Sequence, residues 1–164
     1  MVAWKSAGPW RTPEVRGIPK PSFVLFSMYF ESNAVLLAEN PTISIIDDDP
    51  AVRDALLRLM DSAGFPAEVF DCAEAFLASP SRADTTCLVL DVRMPGMDGL
   101  ELQRRLVASN WTVPIIFISA HADADVRARA LQAGAIEFFE KPFSGTALLE
   151  AIVAACRAPG GAGT

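Results

Sequence analysis

The stretch that decides the fold of this chain is Cys87-Leu88-Val89-Leu90-Asp91-Val92-Arg93-Met94-Pro95-Gly96-Met97-Asp98-Gly99. Four apolar residues lead into an aspartate, and a Pro-Gly loop follows at once. A short apolar run of this kind is typical of a strand that is buried on both faces of a parallel sheet. Open α/β sheets hold their ligands at the carboxyl ends of such strands. Asp91 is therefore a candidate site residue, although a lone strand-end aspartate can equally cap a turn.

Apolar runs and helical patterns alternate five times between residues 41 and 157. The predicted strands are residues 42–46, 67–70, 87–91, 113–118 and 135–139. The predicted helices are residues 50–63, 72–78, 100–109, 123–133 and 146–157. Asp49-Pro50 has the pattern of a helix N-cap followed by proline at the first helical position. Strands that alternate with helices predict a doubly wound α/β fold with a parallel sheet.

Outside this region the composition changes. Residues 1–40 contain four prolines before residue 22 and show little periodicity, so we predict a disordered or loosely packed N-terminal extension. The apolar segment 23–30 is too short to span a bilayer. Residues 41–157 form the predicted domain, and the Gly-rich residues 158–164 form a flexible C-terminal tail.

Composition and charge limit the possible functions. The net charge is −6, of which residues 1–40 contribute +1 and the remainder −7. An acidic domain is a poor candidate for binding a phosphate backbone, so no direct nucleic-acid contact is expected. Cys72, Cys87 and Cys156 lack metal-ligand spacing and are predicted to be buried free thiols in a reducing cytoplasm. His121 is the single histidine, so a zinc site or a Ser-His triad would depend on it alone.

Polar residues follow four of the predicted strands and converge on one rim of the sheet. They are Asp47 and Asp48 after the first strand, Asp91 after the third, Ser119 after the fourth and Lys141 after the fifth. Three carboxylates at close quarters repel one another unless a cation compensates, and oxygen ligands suit Mg²⁺. Lys141 supplies a second positive charge for a carboxylate or a phosphoryl oxygen.

Such a site suits phosphoryl transfer to a carboxylate. Asp91 is the predicted nucleophile because its strand is central. Asp47, Asp48 and Asp91, with the backbone carbonyl of Arg93, are the predicted metal ligands. The Ser119 hydroxyl is predicted to donate to a phosphoryl oxygen once Asp91 is modified.

Four segments of the chain resemble the receiver domains of two-component response regulators. They are Ile-Ile-Asp-Asp-Asp at 45–49, Leu-Val-Leu-Asp-Val-Arg-Met-Pro-Gly-Met-Asp-Gly at 88–99, Ile-Phe-Ile-Ser-Ala at 116–120 and Glu-Lys-Pro-Phe at 140–143. Together they are highly specific, and they are spread over about residues 41–157. Residues 90–99, 119–121 and 138–143 look most like the FixJ branch of the family.

The resemblance implies a flavodoxin/CheY-like fold with five helices and strand order 2-1-3-4-5. It also implies that Asp91 accepts a phosphoryl group from a sensor histidine kinase with Mg²⁺, and that the Lys141–Pro142 bond is cis. The domain would catalyse only its own phosphorylation and dephosphorylation. Its output would pass through the helix 4/strand 5/helix 5 face to a protein partner or to a homodimer formed on phosphorylation.

The same resemblance makes Phe138 the switch aromatic, which would rotate into the space that the Ser119 hydroxyl vacates. From the residue alone, core packing is the favoured interpretation of Phe138. Arg127 and Arg129 indicate a solvated helix face, which the resemblance places on the output surface. His121 is interpreted as an exposed loop residue.

Three alternatives remain open at this stage. In a haloacid-dehalogenase-type phosphatase Asp47 would be the nucleophile and Asp49 the acid/base, but Ala51 departs from that motif and Asp91 stays unexplained. A receiver-like scaffold would keep the fold without phosphorylation. A DNA-binding regulator is disfavoured because few residues follow the last helix and the charge is negative.

Overall fold

Five parallel strands form the centre of the structure, a computed structural model that describes residues 41–121 and 123–157. The strands are β1 (Thr42–Ile46), β2 (Ala67–Phe70), β3 (Thr85–Asp91), β4 (Ile115–Ser119) and β5 (Glu137–Glu140). Their order across the sheet is β2-β1-β3-β4-β5. The predicted extension at 1–40 and tail at 158–164 lie outside the described residues.

Helices connect the strands. They are α1 (Pro50–Ser62), α2 (Ala73–Ala78), α3 (Gly99–Ala108), α4 (Ala124–Gln132) and α5 (Gly145–Arg157). A 3-10 helix at Pro80–Asp84 precedes β3 and was not predicted. The five parallel strands, their order and the five helices of the described region confirm the predicted CheY-like fold.

Aspartates are the N-cap residues of two of these helices, at the ends of the loops that follow β1 and β3. Asp49 Oδ1 accepts a hydrogen bond of 2.8 Å from the Ala51 amide, and Pro50 begins α1, as predicted. Asp98 Oδ1 accepts a bond of 2.7 Å from the Glu101 amide at the start of α3. Each cap satisfies an amide that the helix itself leaves unpaired. The loops that leave β1 and β3 are thereby fixed close to the ends of their strands.

The centre of the core lies on β1, β3 and β4. Their apolar side chains are almost completely buried (Ile43, Ile45, Ile46, Cys87, Leu88, Val89, Leu90, Ile116, Phe117 and Ile118, each 0% exposed). This burial is what the continuous apolar runs predict for central parallel strands. Since interiors are packed at crystal-like density, these strands hold their carboxyl ends in fixed positions.

The three cysteines are free thiols, as predicted. Cys87 and Cys156 are buried, whereas Cys72, the N-cap residue of α2, precedes the helix and is only half-buried. The predicted burial of Cys72 was therefore wrong. In the part of the chain that the structure describes, no helix is both long and apolar enough to cross a membrane.

Candidate functional site

The sheet register brings the predicted site residues to one rim. Ile46 of β1 pairs with Leu90 of β3, so Asp47 and Asp91 follow on adjacent strands. Asp91 pairs with Ile118 of β4, directly before Ser119. Ser119 in turn pairs with Glu140 of β5, directly before Lys141. Polar residues that are far apart in the sequence therefore lie side by side.

Three carboxylates form the centre of this rim. Asp47, Asp48 and Asp91 each offer a carboxylate oxygen, and these oxygens lie within 4.8 Å of one another. Asp47 is 0% exposed and Asp91 5% exposed, whereas Asp48 is exposed. A compact set of hard oxygen ligands with one side open to solvent fits Mg²⁺, which keeps several of its waters.

Lys141 joins two of the carboxylates. Its Nζ donates to Asp47 Oδ2 at 2.7 Å and to Asp91 Oδ1 at 3.2 Å. Partial burial lowers the pKa of Lys141, but the bond to Asp47 and the charges of Asp91 and Asp47 outweigh it and raise the pKa above its ordinary value. Lys141 is thus a fixed positive charge beside the two buried carboxylates.

Both carboxylate oxygens of Asp47 and its backbone carbonyl accept hydrogen bonds. Its Oδ1 accepts a bond of 2.9 Å from the Asp49 amide, and its Oδ2 accepts from Lys141. Its backbone carbonyl accepts from Arg53 Nη1 of α1 at 2.6 Å. Arg53 was not predicted as a site residue, because an arginine on the first turns of a helix ordinarily indicates a solvated side chain. These bonds make Asp47 a rigid part of the rim.

The environment of Asp91 disfavours the negative charge of its carboxylate. Burial raises the pKa of its carboxyl, Lys141 lowers it, and the neighbouring charges of Asp47 and Asp48 raise it again, to about 6. Its ordinary value is 3.8. A cation bound between the carboxylates would oppose this shift by favouring the ionised form. The electrostatics of the rim therefore fit a divalent cation.

Ser119 is buried at the same rim, and its hydroxyl bonds to its own loop. Ser119 Oγ donates to the His121 carbonyl at 2.9 Å and accepts from the His121 amide at 3.3 Å. Phe138 is 2% exposed, and the centroid of its ring lies 6.1 Å from that of the Phe117 ring. His121 is exposed, as predicted. The exchange of positions between Ser119 and Phe138 stays a prediction.

The family of the chain follows from its residues 43–153, which match the sequence model of the response regulator receiver domain. The chain belongs to the receiver domain family of two-component response regulators. This receiver domain has the motifs and the strand order that the resemblance implied. The haloacid-dehalogenase alternative finds no support.

Two curated response regulators are similar to this chain. Response regulator protein TodT of Pseudomonas putida F1 is 48% identical over 115 residues, which cover 70% of this chain and 51% of TodT. Transcriptional regulatory protein FixJ of Bradyrhizobium diazoefficiens is 44% identical over 115 residues, covering 70% of this chain and 56% of FixJ. The chain thus spans about half the length of these relatives.

Solved structures agree with the fold. The N-terminal part of FixJ superposes with a TM-score of 0.67 at 38% identity, covering 74% of this chain and 97% of that one. The response regulator StyR superposes with a TM-score of 0.67 at 50% identity, covering 73% of this chain and 60% of that one. The Lys141–Pro142 peptide bond is cis, as the resemblance implied.

A second contact near the receiver domain's rim, besides that of Arg53, was not predicted from the sequence. Glu74 of α2 accepts a hydrogen bond of 3.1 Å from the Met97 amide, in the loop that follows Asp91. A side chain on Gly96, which has a φ of +79°, would lie 3.1 Å from the same carboxylate oxygen. This hydrogen bond from Met97 to Glu74 therefore restrains the loop that contains Arg93. The Arg93 guanidinium forms a 3.5 Å ion pair with Asp123, and the role of its carbonyl as a metal ligand stays a prediction.

Replacing Glu74 by alanine is expected to raise the exchange rate of the Met97 amide about tenfold, because a hydrogen bond to a charged acceptor is lost. Glu74→Gln keeps an acceptor and is expected to change the rate less. Glu150, an exposed residue of α5, provides the control variant Glu150→Ala. Hydrogen exchange measured by NMR tests this, and equal rates in Glu74→Ala and Glu150→Ala would contradict it.

Proposed function

We propose that this receiver domain accepts a phosphoryl group on Asp91 from a sensor histidine kinase, with Mg²⁺ at the rim. The observation that supports this most is the meeting of Asp47, Asp48 and Asp91 with Lys141 at the ends of three strands. Such a set can bind a metal ion and offset the negative charge of a phosphoryl group.

The contacts favour Asp91 over Asp47 as the nucleophile. Both carboxylate oxygens of Asp47 accept hydrogen bonds, from Lys141 and from the Asp49 amide. Among the described residues, Asp91 accepts one hydrogen bond, from Lys141 to Oδ1. Its second oxygen keeps lone pairs available for phosphorus. In the proposed step this oxygen forms the bond to phosphorus, and the imidazole nitrogen of the kinase leaves with the electron pair of the bond that breaks.

The remaining residues have supporting roles in the proposal. Asp47, Asp48 and Asp91, with the carbonyl of Arg93, would hold the metal ion. When bound, Mg²⁺ supplies positive charge to the phosphoryl oxygens. Lys141 supplies a fixed positive charge from the other side. Ser119 can exchange its bond to the His121 carbonyl for one to a phosphoryl oxygen.

The output of the domain is part of the same proposal. Loss of the Ser119–His121 bond would free the loop that leads to α4, and Phe138 of β5 would rotate into the space that the Ser119 hydroxyl vacates. The face formed by α4, β5 and α5 would then bind a protein partner or a second phosphorylated copy.

The domain would also speed hydrolysis of its own acyl phosphate by water. Free thiols are compatible with the cytoplasm, where the proposal places this chemistry.

The test is to incubate the purified chain with radiolabelled acetyl phosphate and MgCl₂ and to find the labelled residue. We expect one phosphoryl group per chain, as an acyl phosphate that borohydride reduces to homoserine at position 91. Peptide mass spectrometry locates that residue. Label on Asp47 would support the phosphatase alternative instead. A chain that takes no label from acetyl phosphate or from the host's histidine kinases would support the scaffold.

A further inference from the structure

The strand β5 lies at the edge of the sheet, so among residues 41–121 and 123–157 no strand adjoins its outer side. Exposed edges of this kind invite pairing with other chains unless they are covered. At Phe138 the backbone groups are nevertheless bonded. The Phe138 amide donates to Glu137 Oε1 at 2.9 Å, and the Phe138 carbonyl accepts from Arg127 Nη1 at 2.8 Å. Two side chains therefore replace the missing strand at this residue.

Arg127 makes two further contacts from α4. Its Nη2 lies 3.4 Å from Glu137 Oε1, and its guanidinium carbon lies 5.6 Å from the centroid of the Phe138 ring. A guanidinium within about 6 Å of a ring is attracted to the aromatic face. Arg127 thus binds the backbone of Phe138, contacts its ring and pairs with the glutamate that binds its amide.

The apolar contact between α4 and the core is small, and the partly buried Val126 contributes to it. Ala130 is the one buried residue of this helix. Gln103 of α3 is buried and donates from Nε2 to the Ala130 carbonyl at 3.0 Å. A helix with so little buried surface depends on its polar contacts, as well as on this packing, for its position. The contacts of Arg127 are the side-chain hydrogen bonds that the described part of α4 makes to β5.

We propose that Arg127 and Glu137 form a clamp that closes the open edge of β5 at Phe138, so that α4 and Phe138 move as one unit. Arg127 is then a positioning residue, and it deepens the proposed function, on which its signalling role rests. A change at Phe138 would reach α4 through the clamp, and loss of the clamp would expose the β5 edge at Phe138.

The polarity of the contacts separates this clamp from an ordinary surface ion pair. The Phe138 amide needs an acceptor at position 137, and the Phe138 carbonyl needs a donor at position 127. Exchanging the two charges keeps an ion pair but supplies the wrong group to each backbone atom. A glutamate at 127 has nothing to donate, and an arginine at 137 has nothing with which to accept.

The first experiment compares amide hydrogen exchange in the unphosphorylated wild-type chain and three variants. Arg127→Ala is expected to raise exchange at the Phe138 amide and along α4 about fivefold. Arg129→Ala is the control, because the exposed side chain of Arg129 on α4 makes no hydrogen bond or ion pair with the described residues, and its backbone carbonyl accepts from the Ala133 amide in any variant. The double variant Arg127→Glu with Glu137→Arg is expected to exchange as fast as Arg127→Ala. Recovery of wild-type exchange by the double variant would overturn the clamp, and so would equal effects of Arg127→Ala and Arg129→Ala.

A second readout follows the ring itself. With 4-fluorophenylalanine incorporated at position 138, the fluorine resonance is expected to shift in Arg127→Ala and to stay in place in Arg129→Ala. A resonance that is the same in both variants would contradict the contact between Arg127 and the ring.

A third arm repeats hydrogen exchange after Asp91 has been phosphorylated with phosphoramidate. The wild-type chain is expected to show a changed exchange rate along α4, and Arg127→Ala at most half of that change. If Asp91 is labelled but α4 responds fully in Arg127→Ala, the coupling is refuted while the proposed function stands. If Asp91 takes no label but the first experiment succeeds, the proposed function is refuted while the clamp stands.

Discussion

An Asp91→Asn variant is expected to be more stable than the wild-type domain by about 2 kcal/mol at pH 7.5 without divalent cations, and to take up no phosphoryl group. The folded protein holds the Asp91 carboxyl at 5% exposure beside two other carboxylates. Its ionised form is therefore costly in the fold. Asparagine removes the charge and keeps an oxygen that can accept from Lys141. Urea denaturation at several pH values measures the difference.

The pH dependence of this difference has a definite sign. The pKa of Asp91 is about 6 in the fold and 3.8 ordinarily, so between these values the folded state binds more protons than the unfolded state. The stability contributed by Asp91 is then full below pH 4 and is lost as the pH rises through 6. The advantage of Asp91→Asn over the wild type should grow across this range and level off above it.

The control for this prediction is Asp61→Asn, which removes an exposed carboxylate near the end of α1. It is expected to change stability by less than about 0.5 kcal/mol. Added MgCl₂ is expected to stabilise the wild type more than Asp91→Asn, because a ligand stabilises the state that binds it. A variant less stable than the wild type at pH 7.5, or a difference that is constant from pH 4 to 7.5, would contradict the prediction.

The sequence predicts this site well because its residues are fixed by backbone topology. An apolar run that ends in Asp91 indicates a buried strand, and parallel strands bring their carboxyl ends to one rim. Because strands that alternate with helices form a parallel sheet, Asp47, Ser119 and Lys141 are predicted to lie at the same rim. Alternation alone does not order the strands, however. The order 2-1-3-4-5 came from the family resemblance and was confirmed by the structure.

The contacts that the sequence did not predict are made by long side chains between separate elements. Glu74 reaches Met97 from α2, and Arg127 reaches Phe138 from α4. A glutamate or an arginine on a helix ordinarily indicates a solvated position. Arg127 was interpreted in this way, together with Arg129. Which of the two arginines meets β5 depends on the rotation of α4 about its axis, and a helix with one buried residue gives a weak apolar pattern.

Replacing Gly99 by alanine is expected to destabilise the domain by about 3 kcal/mol or more. Gly99 is the buried first residue of α3, and its amide donates to the Val92 carbonyl at 2.9 Å. A Cβ atom there would lie 2.3 Å from the Asp91 carbonyl oxygen and 3.1 Å from the Phe117 ring. The first of these neighbours is backbone and cannot turn aside, so α3 or the end of β3 must shift. The gain in helix propensity from alanine, up to about 1 kcal/mol, does not offset this cost.

Gly145→Ala is the matched control, since Gly145 is also the first residue of its helix, α5. There a Cβ would meet the Leu59 side chain at 3.3 Å, and that side chain can move. We expect a change of less than about 1 kcal/mol, measured by thermal or urea unfolding. Because the obstruction in Gly99→Ala is at the carbonyl of Asp91 itself, phosphorylation of the folded fraction by acetyl phosphate should also fall in that variant and not in Gly145→Ala. Equal stability of the two variants would show that α3 can move away from β3 at little cost, and that the position of Asp91 does not depend on this contact.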